Sequence, residues 1–378
     1  MCGSPFAALH EYKCEFDGYN IQLTLLSSLS AISEVQPINK GRIIRLASAA
    51  VGITVLIAFI YFVGLDALAR VLLQVNPAVI LAMVAIQLLG FTFYAAAWYV
   101  LIRSTGHTLP FRTCQGITFA SIFVSYTMPS GVFLEAVRCI LGSKESGMKL
   151  GESTATVIMH RVLYIVGFLA STALAFFFLT LGGRATSSVI FQLAAVPVLA
   201  VAGLIASLYL SLNPKTIQPL LDRGLRLVQP VIKIVQKQAK TDGKAGQFLD
   251  DYHVAFRRML SSRVHVAASF AASLGDWACS VLILWVVLTA VGSTVSLWIV
   301  VVTMAIGKMI QMTPIAVPGM LGIYETAITA SLSLFGVPVA VGASAALLSR
   351  IVTSWLDLPV TGIAAYHYGY KALGQLSQ

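Results

Sequence analysis

Apolar runs alternate along this chain with short polar breaks, and their lengths fall into two classes. Six runs, at about 46–64, 77–102, 153–181, 189–212, 264–290 and 339–366, match or approach the roughly 20 residues that a helix needs to cross a bilayer. Four are shorter: 113–128 and 134–141, joined through Pro129-Ser130-Gly131, and 297–312 and 324–335, joined through a stretch holding Pro314, Pro318, Gly319 and Gly322. Proline and glycine at membrane depth free backbone N–H and C=O groups that hydrocarbon cannot satisfy, so such a break must be buried in protein or line a wet cavity. The pattern predicts an all-α polytopic membrane protein with about six full spans and two re-entrant helical hairpins, or eight spans if each hairpin is counted as one.

Composition agrees with that class. The chain is 58% hydrophobic and 11% charged, with a mean hydropathy of +0.85, whereas roughly 25% of residues are charged in a soluble domain. Its net charge of +10 reads as Lys- and Arg-rich cytoplasmic loops facing an anionic leaflet, and no nucleic-acid partner is expected. The largest such segment, 213–263, carries ten Lys and Arg against four Asp and has apolar positions that suit an interfacial helix. Cys2, Cys14, Cys114, Cys139 and Cys279 have neither CxxC nor metal spacing, which argues against a disulfide framework or a metal site. No HExxH, GxSxG or phosphate-loop motif occurs, so no catalytic residue, enzyme activity or cofactor is expected.

The two halves share landmarks. Pro129 and Pro318 lie 189 residues apart, as do Arg161 and Arg350, and Gln87 and Asp276, while Glu135 and Glu325 lie 190 apart. The landmarks predict an internal repeat, with repeat one at about 40–181 and repeat two at about 189–370. If each hairpin returns to the side it came from, Lys40, Arg103, Arg112, Lys144, Lys149, the basic loop and Lys371 all lie in the cytoplasm, as the positive-inside rule asks. Each repeat then has three crossings, so the second is inverted relative to the first and the two breaks approach each other from opposite faces. Residues 1–39 are expected to be a poorly ordered leader, 40–370 a single transmembrane domain and 371–378 a short tail. Both termini are placed in the cytoplasm of a prokaryotic cell (inner) membrane.

Charges inside apolar runs are the candidate site. Arg138, Arg161, Lys308 and Arg350 could receive an anionic head group, arginine being suited to bidentate phosphate contact. Glu135 and Glu325 would hold those cations in place or contact an ammonium. The plainer reading pairs the four cations with Glu135, Glu325, Asp276 and Asp357 as structural ion pairs, with the two glutamates capping freed N–H groups. His160 is expected to be a packed, hydrogen-bonded histidine, and Trp98, Tyr99 and Trp298 to be interface anchors.

The motifs Pro129-Ser130-Gly131-Val132-Phe133-Leu134-Glu135-Ala136-Val137-Arg138, His160-Arg161-Val162-Leu163-Tyr164, Val317-Pro318-Gly319-Met320-Leu321-Gly322-Ile323-Tyr324-Glu325 and Leu348-Ser349-Arg350 resemble the membrane region of lysylphosphatidylglycerol synthases and of standalone flippase-like membrane proteins. Leu134 and Met320 depart from that pattern, standing where glycine is usual. The resemblance implies movement of an anionic or aminoacylated lipid, or a lipid-linked intermediate, between leaflets, with membrane lipids as partners. It leaves open a non-transporting subunit that assists a separate lipid- or glycan-modifying enzyme.

Overall fold

The computed structural model describes residues 75–127, 132–183, 244–312, 317, 320–355 and 357–376, together with isolated positions at 57, 61, 198, 201–203, 205, 206 and 209. Among the described residues ten α-helices carry the fold: α1 Pro77–Ser104, α2 Phe111–Thr127, α3 Val132–Ser146, α4 Leu150–Leu181, α5 Lys244–Ser261, α6 Arg263–Ala290, α7 Leu297–Met312, α8 Ile323–Leu334, α9 Val339–Arg350 and α10 Asp357–Leu376. No strand occurs among the described residues. Among the described residues four helical stretches, Pro77–Ser104, Leu150–Leu181, Arg263–Ala290 and Val339–Tyr368, are long and apolar enough to cross a membrane. They coincide with four of the six expected spans. The other two, at 46–64 and 189–212, fall almost wholly outside the described residues, as do the leader 1–39 and much of the basic loop. Pro129, Gly131, Pro314, Pro318 and Gly319 also lie outside them.

Local signals set the helix ends. Asn76 caps α1, its Oδ1 accepting from the Ala78 N–H at 2.9 Å with Pro77 as the first helical residue, where the missing proline N–H costs nothing. Glu152 in the first turn of α4 reaches back to the Lys149 N–H at 3.2 Å. The short arms α2, α3, α7 and α8 have 17, 15, 16 and 12 residues. At 1.5 Å per residue they rise roughly 18–26 Å, less than the ~30 Å of a hydrocarbon core.

Two boundaries differ from the sequence expectation. The short run expected at 134–141 is longer: α3 runs on to Ser146, and only 147–149 are non-helical before α4, with Gly147 at φ +71°. Polar side chains at a helix end need no loop when their hydroxyls find carbonyls, as Ser143 does with Met148 at 2.7 Å. The run at 339–366 is two helices with a π-helical turn, Ile351–Trp355, between α9 and α10. Its sequence, Ile-Val-Thr-Ser-Trp, contains no breaker, so nothing in the hydropathy marks it.

Helix α1 lies along α6, and glycines on both sides permit the approach. A Cβ at Gly90 would stand 3.2 Å from Asp276 Oδ1 and from the Cys279 Cβ, and one at Gly275 would stand 2.9 Å from the Phe93 ring. Around this pair α7 packs on α4, α2 on α10, α9 on α6, and α8 on both α7 and α9. Phe168, Trp277, Ile283, Val300, Ile328 and Leu332 belong to the main apolar core.

Helix α5 is amphipathic and docks on α4, burying Tyr252, Phe256 and Met259 against Leu101, Ala155 and Met159, while Arg258 donates to the Thr105 carbonyl at the end of α1 at 2.8 Å. A Cβ at Gly151 would collide with the Phe248 carbonyl and come within 3.0 Å of the Tyr252 amide nitrogen. Backbone cannot swing aside as a side-chain tip can, so Gly151→Ala is expected to cost about 1–3 kcal/mol. Faster amide hydrogen exchange confined to α5 would register it, and unchanged exchange there would contradict this docking geometry.

Candidate functional site

Glu135 and Arg138 stand three residues apart on α3 and so share one face of the helix. Arg138 is fully buried. Its Nη1 donates to the Tyr94 hydroxyl at 3.0 Å and to Glu135 Oε2 at 3.3 Å, and its Nη2 lies 2.9 Å from His160 Nδ1. A guanidinium has no acceptor, so His160 Nδ1 must accept. The guanidinium carbon also sits 4.4 Å from the Trp98 ring centroid and 4.9 Å from that of Tyr94.

Trp98 is therefore no interface anchor. It is completely buried, its indole N–H donates to Thr156 Oγ1 at 3.0 Å, and its ring faces Arg138. Tryptophan is common at membrane boundaries, but a cation inside the bundle offers its ring an equally favourable partner. His160 is buried and hydrogen-bonded, as expected.

Arg161 follows His160 on α4 and takes the other oxygen of the same carboxylate, its Nη1 lying 3.4 Å from Glu135 Oε1. One glutamate thus serves two arginines. Arg138 is enclosed, whereas the Arg161 side chain is 31% exposed.

The second cluster is built at the opening of α8. Met320 adopts φ +54° and Gly322 φ +79°. The first of these is the left-handed region, in which a side chain costs roughly 1–2 kcal/mol. Gly322 precedes α8, and its N–H donates to Glu325 Oε2 at 2.7 Å. The other oxygen, Oε1, lies 3.2 Å from Arg350 Nε. Glu325 is fully buried and Arg350 is 4% exposed, with its guanidinium carbon 5.0 Å from the centre of the Tyr324 ring. Glu325 is both a helix cap and the counter-ion of Arg350, so the two roles foreseen for it coincide.

Between the clusters lies a cavity of about 210 Å³ lined by residues from both halves of the chain. Arg161, Lys308 and Arg350 face it together with Asp276, while Glu135, Arg138 and Glu325 are not in its wall. Of the six candidate residues, three cations line the cavity and the other three stand behind them. The remaining wall mixes apolar side chains such as Phe91, Ile283 and Met304 with neutral polar ones. The volume is below the roughly 300–1,000 Å³ of sites for drug-sized molecules, so it fits a head group rather than acyl chains.

Four tyrosines of the wall, Tyr94, Tyr126, Tyr164 and Tyr324, lie outside the charged set that the sequence points to, because a tyrosine in an apolar run reads as core. Two contacts beside the cavity tie the halves together: Gln87 Nε2 donates to Asp357 Oδ2 at 3.1 Å, and the Tyr126 hydroxyl donates to the Thr353 carbonyl in the π-helical turn at 2.6 Å. Thr353 and Ser354 line the cavity immediately beyond Arg350, and such turns are frequent at functional sites.

Residues 45–360 match the family model described as the lysylphosphatidylglycerol synthase TM region. A UPF0104 membrane protein of Methanothermobacter thermautotrophicus is 21% identical over 324 residues, covering 84% of this chain and 93% of its own. One from Methanocaldococcus jannaschii is 24% identical over 311 residues, 79% of this chain and 87% of its own. One from Pyrococcus horikoshii is 21% identical over 319 residues, 83% and 94% of the two chains.

Proposed function

The chain belongs to the lysylphosphatidylglycerol synthase TM-region family, and from that premise we propose that it receives the head group of a membrane lipid in the cavity and carries it between leaflets while the acyl chains stay in the bilayer. The observation that supports this best is the placing of charge: three cations face a head-group-sized space inside a set of apolar helices. A charged or strongly polar head group crosses hydrocarbon only if the path supplies partners for it.

On this reading α2 with α3, and α7 with α8, are re-entrant hairpins, and residues 40–370 form one translocating unit of six spans in two inverted repeats. The packing favours such a relation, because it is reciprocal. Helices α1 and α6, which correspond under the 189-residue offset, pack on each other, and α2 on α10 mirrors α7 on α4. Within each half one glutamate beside the break holds one arginine of the following helix, Glu135 with Arg161 and Glu325 with Arg350. The protein is then a carrier rather than an enzyme, in a prokaryotic cell membrane with both termini in the cytoplasm.

Arg161→Ala separates function from folding, because Glu135 keeps Arg138 as its partner. In reconstituted vesicles with tail-labelled anionic, zwitterionic and aminoacylated phospholipids, the variant is expected to slow leaflet exchange of the transported lipid about tenfold or more, the weight of one charged hydrogen-bond donor. Its melting temperature should stay close to the parent's. Exchange at the parental rate would take the cavity out of the path and leave the accessory-subunit reading.

A further inference from the structure

Resting on that reading, we propose that Asp276 is a proton site: each head group enters the cavity together with a proton, which Asp276 takes up and later releases on the far side. The argument starts from which charges of the wall are already held. Arg161 has Glu135 at 3.4 Å, and Arg350 has Glu325 at 3.2 Å. Lys308 and Asp276 remain. Among the described residues neither makes a direct ion pair, yet each lies in the field of the other.

Asp276 is 8% exposed and lines the cavity from α6. Its Oδ1 stands 3.2 Å from where a Cβ at Gly90 of α1 would be, so the carboxylate is seated between helices. The wall groups around it come from the helices that pack on α6: Gln87 and Tyr94 on α1, Arg161 and Tyr164 on α4, Lys308 on α7 and Arg350 on α9. Cys279 is beside it on α6 itself, and α5 meets α6 around Val266 and Phe270, on turns before Asp276. Asp357 lies behind the wall, where it accepts from Gln87 Nε2 at 3.1 Å. Of the three cations, Lys308 alone has Asp276 as its answering charge.

Head-group binding changes that balance. A phosphodiester meets Lys308 as a charge-assisted acceptor, and the ammonium then stands between two anions. One cation cannot neutralise both away from water. The phosphodiester is the stronger acid and stays ionised, so a proton from the adjoining water forms an O–H bond on Asp276. The Tyr164 hydroxyl beside it can donate to the ionised carboxylate or accept from the protonated one. When the head group leaves, Lys308 returns to Asp276, and the proton goes back to water. Each cycle moves a proton with a lipid, so a pH gradient drives the lipid toward the alkaline side.

Two measurements on the purified full-length protein test this. Dioctanoyl phosphatidylglycerol, phosphatidylethanolamine and lysylphosphatidylglycerol share the phosphodiester, and each is added in detergent at neutral pH with an indicator dye. Those that bind should draw about one proton per lipid from solution. Asp276→Asn should abolish the uptake, whereas Asp357→Asn should keep it. Binding without uptake in the parent, or uptake that survives Asp276→Asn, would overturn the proposal.

The second measurement uses vesicles with tail-labelled forms of the same lipids and a gradient of about one pH unit, the membrane potential being held at zero with potassium and valinomycin. The label should gather in the leaflet on the alkaline side by up to about tenfold, and should spread evenly with Asp276→Asn and in protein-free vesicles. An even spread in the parent with brisk exchange would overturn proton coupling and uphold carriage. No exchange of any of the three would overturn carriage, and coupling with it. The parent decides the matter by itself if the variant fails to fold.

Discussion

Arg138→Met is expected to destabilise the protein by about 3–5 kcal/mol and to lower its melting temperature in detergent by about 5 °C or more. Methionine roughly fills the aliphatic volume of the arginine stem, so the loss is chiefly polar. Three acceptors depend on this guanidinium: the Tyr94 hydroxyl, Glu135 Oε2 and His160 Nδ1. Glu135 keeps Arg161, but Tyr94 and His160 lose a partner inside a buried cluster, each at about 1–3 kcal/mol. The ring faces of Trp98 and Tyr94 also lose a desolvated cation, at about 2 kcal/mol. Arg138→Lys should recover little, because a single ammonium cannot reproduce the planar fork that meets three acceptors. Thermal unfolding of both variants checks this, and a lysine variant as stable as the parent would show that charge alone suffices.

Glu325→Ala should be as damaging for a different reason. It leaves the Arg350 guanidinium, 4% exposed, without its carboxylate, and breaking one side of a buried pair costs about 3–5 kcal/mol. It also removes the acceptor of the Gly322 N–H at the opening of α8, worth about 1 kcal/mol as a helix cap. Most of the cost is the stranded charge, so Glu325→Ala combined with Arg350→Met should be more stable than Glu325→Ala alone, by a coupling of about 1–3 kcal/mol. The double variant should still fail to move lipid, since a cation of the cavity wall is gone. A double variant no more stable than Glu325→Ala would mean that the cap, not the ion pair, is what holds α8 in place.

Much of this arrangement is legible in the sequence, for physical reasons. The bilayer allows few solutions, so run length alone locates α1, α4 and α6 to within about three residues. Buried charges need partners wherever they occur, so a 189- or 190-residue offset that recurs for Glu135, Glu325, Arg161 and Arg350 points to pairs that the fold does make. Met320 sits in the Pro- and Gly-rich stretch that the sequence marks as a break, and its φ of +54° is a turn that glycine would make at less cost.

What hydropathy could not convey is which way a side chain looks. Arg138 and Arg161 have the same chemistry and the same carboxylate, yet one is sealed under Trp98 and the other faces the cavity. Trp98 misleads for the same reason, because its amphipathic ring is as well suited to a buried cation as to a head-group layer. The π-helical turn at Ile351–Trp355 leaves no trace in composition, since a one-residue change of hydrogen-bond register needs neither proline nor glycine.

The central claim is that a lipid head group enters the cavity, and photo-crosslinking tests it most directly. Benzoylphenylalanine would be placed at Ser280 in the cavity wall, or at Leu81, which is 72% exposed on the outside of α1, in cells grown with labelled phosphate. The account predicts phospholipid captured at Ser280 in the unmodified background and lost when Arg161→Ala and Lys308→Met are added, with capture at Leu81 indifferent to both changes. Capture at Leu81 alone, or capture at Ser280 that persists without the two cations, would contradict it.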